Sequence, residues 1–177
     1  MINIKSFKTG IYLWTERALR GTMVTADKIV WTKQDAPRPA RPYVSLDFLM
    51  GPAMEGSFDE LREIPGAANE GNFDVTGSRN ISITVECYGD DSLEFASILH
   101  GSLEKPTVQE LLSSYGIALI RQEDVRDVTL AMETRMESRH QFDARFRIVS
   151  SSVDRVGFIE KVLVTNLVNN TTQPVGP

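Results

Sequence analysis

From Ile81 to Cys87 apolar and polar residues alternate without a break, Ile-Ser-Ile-Thr-Val-Glu-Cys. In an extended chain that period puts every apolar side chain on one face. Tyr88-Gly89-Asp90 then turns the chain, Asp91 is placed to cap a helix, and Glu94 three residues on completes a capping-box pattern. Phe95, Ile98, Leu99 and Leu103 follow at helical spacing. A half-buried strand followed at once by an amphipathic helix has one economical solution: the helix lies back on the sheet. This strand–turn–helix is the unit around which the rest of the chain must be built.

The segments on either side fit the same plan. Ile4, Phe7, Ile11, Trp14 and Ala18 form one helical stripe, with Gly21 as the terminating glycine. Gly10 inside it costs about 1 kcal/mol against alanine, which implies a break or a close packing contact there. Lys28–Lys33 reads as a short strand with Ile29 and Trp31 on one face. Pro37, Pro39 and Pro42 then stiffen a polyproline-like connection that carries Arg38 and Arg41. Val44, Leu46 and Phe48 alternate through the strand Tyr43–Leu49, and Gly51-Pro52 is expected to stop it. Residues 53–78 are the least regular part. A strand is expected near Asp59–Pro65, then a loop or hairpin tip over residues 66–72, with the central strand beginning as early as Phe73 and a bulge at Gly77.

After the central helix, Pro106 and Thr107 open a shorter one, with Thr107 and Glu110 as a second capping box and Gly116 as its C-cap. Ile117–Arg121 is a strand, and the charged residues 123–127 form a turn or exposed link. Even-numbered Val128, Leu130, Met132, Met136, Phe142, Ala144, Phe146 and Ile148 are apolar, whereas odd-numbered Glu133, Arg135, Glu137, Arg139, Asp143, Arg145 and Arg147 are charged. That coherence requires one or two long strands with one buried face, turned by polar residues such as Glu137-Ser138-Arg139. Ser150–Gly157 reads as a turn, Phe158–Val168 as a last strand pairing back, and residues 169–177 as a flexible polar tail. The expected fold is α+β: a mostly antiparallel sheet of about seven strands, with the N-terminal helix and two further helices on one face, in a single domain over residues 1–168.

Chemistry is scarce. The acids Asp90, Asp91 and Glu94, and the group Glu123, Asp124 and Asp127, have the composition of a Mg²⁺ site. Capping and turn formation already account for them. His100 and His140 have no second ligand at metal spacing, and no nucleophile elbow, phosphate-binding loop or dinucleotide fingerprint occurs. Cys87 cannot form an internal disulfide and lies on the apolar side of its strand, as a small buried hydrophobe. No catalytic residue, cofactor site or metal site is assigned. The net charge of −5 over 177 residues opposes a phosphate-binding role. No apolar run reaches the roughly 20 residues of a membrane span. The N-terminus has no signal-like apolar stretch, so an intracellular site of synthesis is expected.

Four pieces in this order, APRPARPYVSLDF, RNISITVECYGDDSLEFASILHGSL, SYGIAL and RHQFDARFRIVSSSVDRVGFIEKV, resemble the bacteriophage neck or tail terminator (tail completion) family. The likeness runs from about residue 1 to 165. It implies a non-enzymatic virion protein that assembles as a homo-oligomeric, hexameric ring at the head-proximal end of the tail. Such a ring stops tube polymerisation and meets the head-completion or connector protein. The tail tube is the implied partner on the other side, with sheath protein as a further candidate. Assembly would take place in the host cytoplasm, and no membrane is involved. Six copies at −5 each make a ring of roughly −30, which lets genomic DNA pass through a lumen without specific binding. The candidate subunit or partner interface comprises Pro37, Arg38, Pro39, Arg41 and Tyr43 of the proline arm, with Arg139, Arg145, Arg147 and Arg155 of the C-terminal strands. Two other readings stand beside this one: a metal-dependent hydrolase using Asp90 and Asp91, and a small-ligand-binding regulatory α+β domain.

Overall fold

The computed structural model describes residues 2–32, 37–56, 59–64, 70–132, 135–157, 162–166 and 171–175. The first helix, α1 (Ile4–Ala18), is capped by Asn3, whose Oδ1 accepts from the Ser6 N–H at 2.9 Å. Phe7, Ile11 and Trp14 of the expected stripe are buried, and Ile4 and Ala18 pack at its margin. Gly10 marks a close contact and not a break: a Cβ there would lie 2.8 Å from Ile117 Cδ1 and 3.0 Å from Tyr115 Cβ.

Strand β1 (Ile29–Trp31) runs parallel to β2 (Tyr43–Met54). β2 does not stop at Gly51-Pro52. Its pairing to the next long strand shifts register between Phe48 and Met50 and again between Met50 and Ala53. No described strand pairs with this part of β2 on its other side, and at such an edge the N–H that proline lacks is not needed. β3 (Glu60–Ile64) pairs antiparallel with β4 (Glu70–Tyr88), which begins before Phe73.

Helix α2 (Ser92–Ser102) starts where expected, but the Asp91 side chain makes no capping bond. α3 (Pro106–Ser114) has Lys105 at the N-cap and Pro106 as its first residue. Proline pre-sets φ for a first helical position, so the N-cap lies two residues before Thr107, and Thr107 is inside the helix, past the place where a hydroxyl caps. Five strands follow: β5 (Ile117–Gln122), β6 (Arg126–Asp127), β7 (Leu130–Met132), β8 (Arg135–Glu137) and β9 (Arg139–Gly157). β7 and β8 pair antiparallel, Met132 with Arg135, so the chain reverses there and not at Glu137-Ser138-Arg139. The expected turn Ser150–Gly157 is strand, the C-terminal part of β9. β10 (Val162–Asn166) lies within the expected final strand and pairs with β11 (Thr171–Val175).

The main sheet has the order β1-β2-β4-β9-β5, with β3 beside β4 and β6 beside β9. The fold is therefore α+β, with a seven-stranded mixed and mostly antiparallel sheet. The chain divides into two compact units, residues 1–57 with 78–150 and residues 58–77 with 151–177. The first holds every helix and every buried apolar side chain among the described residues. Register aligns its core: Val44 opposes Cys87, Leu46 opposes Val85, Phe48 opposes Ile83, and Leu119 opposes Phe146. Phe7, Trp14, Phe95, Leu99 and Leu112 of the helices join the same cluster. The Trp14 indole N–H donates to Ser102 Oγ at 2.8 Å and ties α1 to α2 inside it. In the second unit the Ser151 hydroxyl donates to Asp74 Oδ1 at 2.8 Å, joining β9 to β4.

Candidate interaction surface

Side chains of the opposite phase occupy the second face of the sheet in the first unit. They include Tyr43 and Ser45 of β2, Ser82, Thr84, Glu86 and Tyr88 of β4, and Arg139, Asp143, Arg145 and Arg147 of β9. The helices bury their apolar stripes on the other side, so this face is covered by its own polar side chains. Thr84 Oγ1 donates to Asp143 Oδ1 at 2.6 Å, and Arg126 donates to the other Asp143 oxygen at 2.5 Å. Arg139 donates to Glu86 Oε1, and the Tyr88 hydroxyl donates to Glu86 Oε2 at 2.7 Å. Arg145 Nε reaches Ser82 Oγ at 3.4 Å, and Arg147 pairs with Glu55 at 2.5 Å. Ser45, Ser82 and Thr84 are buried beneath this layer.

The proline arm lies against the same end of the sheet. Tyr43 and Tyr88 stack with centroids 4.4 Å apart, and the Arg139 and Arg38 guanidinium groups lie 5.1 and 5.7 Å from the Tyr88 ring. Arg41 donates to Glu137, and Arg38 lies 3.9 Å from the same carboxylate, which is buried. Gly89 makes the approach possible: its φ is 115°, and a Cβ there would meet Pro42 at 3.1 Å. Its N–H donates to the Ser138 carbonyl at 3.1 Å.

The electrostatics follow from this packing. Burial pushes the Tyr88 phenol up, and the hydrogen bond and charge of Glu86 add to it. Burial likewise raises Tyr43, whose hydroxyl has no hydrogen-bond partner. For Arg139 burial opposes the charge, but the Glu86 hydrogen bond and carboxylate outweigh it and the guanidinium pKa is raised. Each arginine of this face that sequence singled out thus spends its charge or its donors inside the chain. Arg41, Arg139 and Arg147, each paired with a carboxylate, offer little to a phosphate backbone.

The structure brings Arg38, Arg41, Tyr43 and Arg139 together around Tyr88 and Glu137. Arg145 and Arg147 lie further along β9, Pro37 is exposed and Pro39 half-buried on the arm, and Arg155 is exposed in the second unit. Sequence reading missed the carboxylates Glu55, Glu86 and Glu137 that organise the arginines. Glu86 carried a signal, since it sits on the polar side of the alternation. Elsewhere, Asp90, Asp91 and Glu94 are exposed, and Asp127 is held below the usual carboxylate range by hydrogen bonds from Thr129. Among the described residues no three His, Cys, Asp or Glu side chains are placed to share a metal ion. His140 Nδ1 lies 2.9 Å from Ser92 Oγ, and His100 packs edge-on to Phe142. Cys87 is buried, which pushes its thiol pKa up. No described helix is long and apolar enough to cross a membrane.

A family model described as phage neck terminator protein matches residues 6–173, a span that includes parts of both compact units. No curated protein matches the chain. A match over nearly the whole length settles the family, and with it the broad role as a structural component of the phage neck. The chain belongs to the phage neck terminator protein family.

Proposed function

We propose that this neck protein closes the head-proximal end of the tail as a ring of six copies, ends tail-tube polymerisation there, and presents a surface to the head-side connector. The observation that carries the reading is the family match over residues 6–173. Its partners in this scheme are further copies of itself, the tail tube, sheath protein where the tail has one, and the connector or head-completion protein. Residues 1–168, with parts of both units included, act as one subunit, with 169–177 as its extension. The acidic balance and the carboxylate-paired Arg139 and Arg147 support a lumen through which DNA slides without being held. Pro37, Arg38, Pro39, Arg41, Tyr43, Arg139, Arg145, Arg147 and Arg155 are its proposed partner-facing residues, and ion pairs hold Arg41, Arg139 and Arg147 in position. The protein acts by assembly and not by catalysis, in the host cytoplasm first and then in the virion. Light scattering after size exclusion, with negative-stain imaging, tests this with and without purified tail tubes. Six-subunit rings, free or on tube ends, are expected. A monomer or dimer that also ignores tail tubes overturns the reading.

A further inference from the structure

Two of the strand edges that lack a partner among the described residues of the first unit lie at opposite ends of one sheet. At one end β1 pairs with β2 only at Val44–Leu46, which leaves Phe48–Met54 open on that side. At the other end β5 pairs only with β9. Open edges are templates for pairing, and proteins usually guard them with lysine or an inward charge. The stretch Phe48–Met54 holds no charged residue, and Leu49, Met50 and Met54 are 61%, 47% and 54% exposed. Pro52 and the register shifts remove one donor and limit the stretch to a selective partner. Along β5, Ile120 is exposed, and a groove of about 350 Å³ runs between the strand and α3, with Leu112, Ile117 and Leu119 in its walls and Glu110 at its polar side.

We propose that the occupant of the β5 edge is a second copy of this chain, whose Phe48–Met54 edge continues the sheet. The two ends complement each other on both faces. On the helix side, Phe48 of one copy meets the apolar groove of the next. Lys8, whose ammonium lies 5.5 Å from the Phe48 ring centroid, comes beside Glu110. On the other side, Leu49 and Met50 lie against Ile120. Backbone pairing supplies affinity and the flanking side chains supply selectivity. Because the two edges are different surfaces, the contact is head-to-tail, the kind from which closed rings are built. This deepens the ring reading above and rests on it.

Hydrogen exchange on the full chain, as monomer and as assembled ring (free or on tail tubes), tests the contact without assuming a register. Amides of Ile117–Gln122 and Phe48–Met54 are expected to become protected on assembly. Lys8→Glu should weaken assembly about tenfold, and adding Glu110→Lys should restore most of it. Unchanged melting temperatures would show that the variants fold. Rings in which both edges exchange as fast as in the monomer, or in which the second swap restores nothing, overturn the edge contact and leave the ring standing. No ring under either condition removes both.

Discussion

Arg139 and Glu86 show what a half-buried ion pair does in this protein. The pair is largely covered, with 24% and 13% of the side-chain surface exposed, and Tyr88 binds Glu86 from the other side. Removing Arg139 strands a carboxylate that the fold has already desolvated. Arg139→Ala should therefore cost about 1–3 kcal/mol in chemical denaturation. Arg121 and Glu123, 3.4 Å apart on open surface, are screened by water, and Arg121→Ala should stay within about 0.5 kcal/mol. Equal costs at the two sites would refute this account of the polar face. Cys87 and Tyr88 give a second prediction. Burial raises both above their ordinary values, so the folded chain favours the neutral thiol and phenol. The stability they contribute is complete below the unfolded-state values, about pH 8.5 and 10, and is lost as pH rises beyond them. Melting temperature should fall on the alkaline side, and Cys87→Ala should flatten the first part of that fall. In the native state at neutral pH the thiol should also resist an aromatic disulfide reagent until the chain unfolds.

At the scale of elements, the closest fit is between α1 and the end of α3 with β5. Gly10 lets the helix approach Tyr115 and Ile117 so nearly that a methyl group has no space. Alanine is the better helix former by about 1 kcal/mol, yet Gly10→Ala should destabilise by about 1–3 kcal/mol, because overpacking outweighs propensity. A gain in stability, read from the denaturation midpoint, would mean that the contact yields easily. Ser102 holds the neighbouring joint: Ser102→Ala leaves the buried Trp14 indole N–H without its acceptor, at a cost of about 1–3 kcal/mol. Helix starts were less legible than helix faces. The Asp91 and Thr107 patterns both read as capping boxes, but neither side chain caps, and Pro106 places the second N-cap two residues earlier, at Lys105. Pro52 was misread for a related reason. Its effect on a strand depends on whether the missing N–H would have faced a neighbour, and the local sequence does not contain that fact.

Over the whole molecule, burial is uneven. All described apolar side chains that are fully buried lie in the first unit, whereas β3 in the second is almost wholly exposed. Amides of Ile81–Cys87 should be the slowest to exchange in the isolated chain and those of Glu60–Ile64 among the fastest, since protection follows burial. Uniform protection would contradict this division. The assembled protein should also fail to retard duplex DNA at about 150 mM salt, given its acidic balance and arginines already paired.

What the sequence determined by itself was everything that depends on period. The alternation Ile81–Cys87, the even-numbered apolar run through Phe142 and Ile148, and the stripe Phe7–Ile11–Trp14 each name an element and its buried face. Those follow from chain geometry within a few residues. The class α+β and the membership of the core came with them. Only the tertiary structure decided why Gly10 is glycine, where β2 ends, and which carboxylates hold Arg41, Arg139 and Arg147. Each of these depends on a neighbour distant along the chain, Ile117 for Gly10, Glu137 for Arg41 and Glu55 for Arg147. Strand order and register bring such partners together, and no local pattern encodes either.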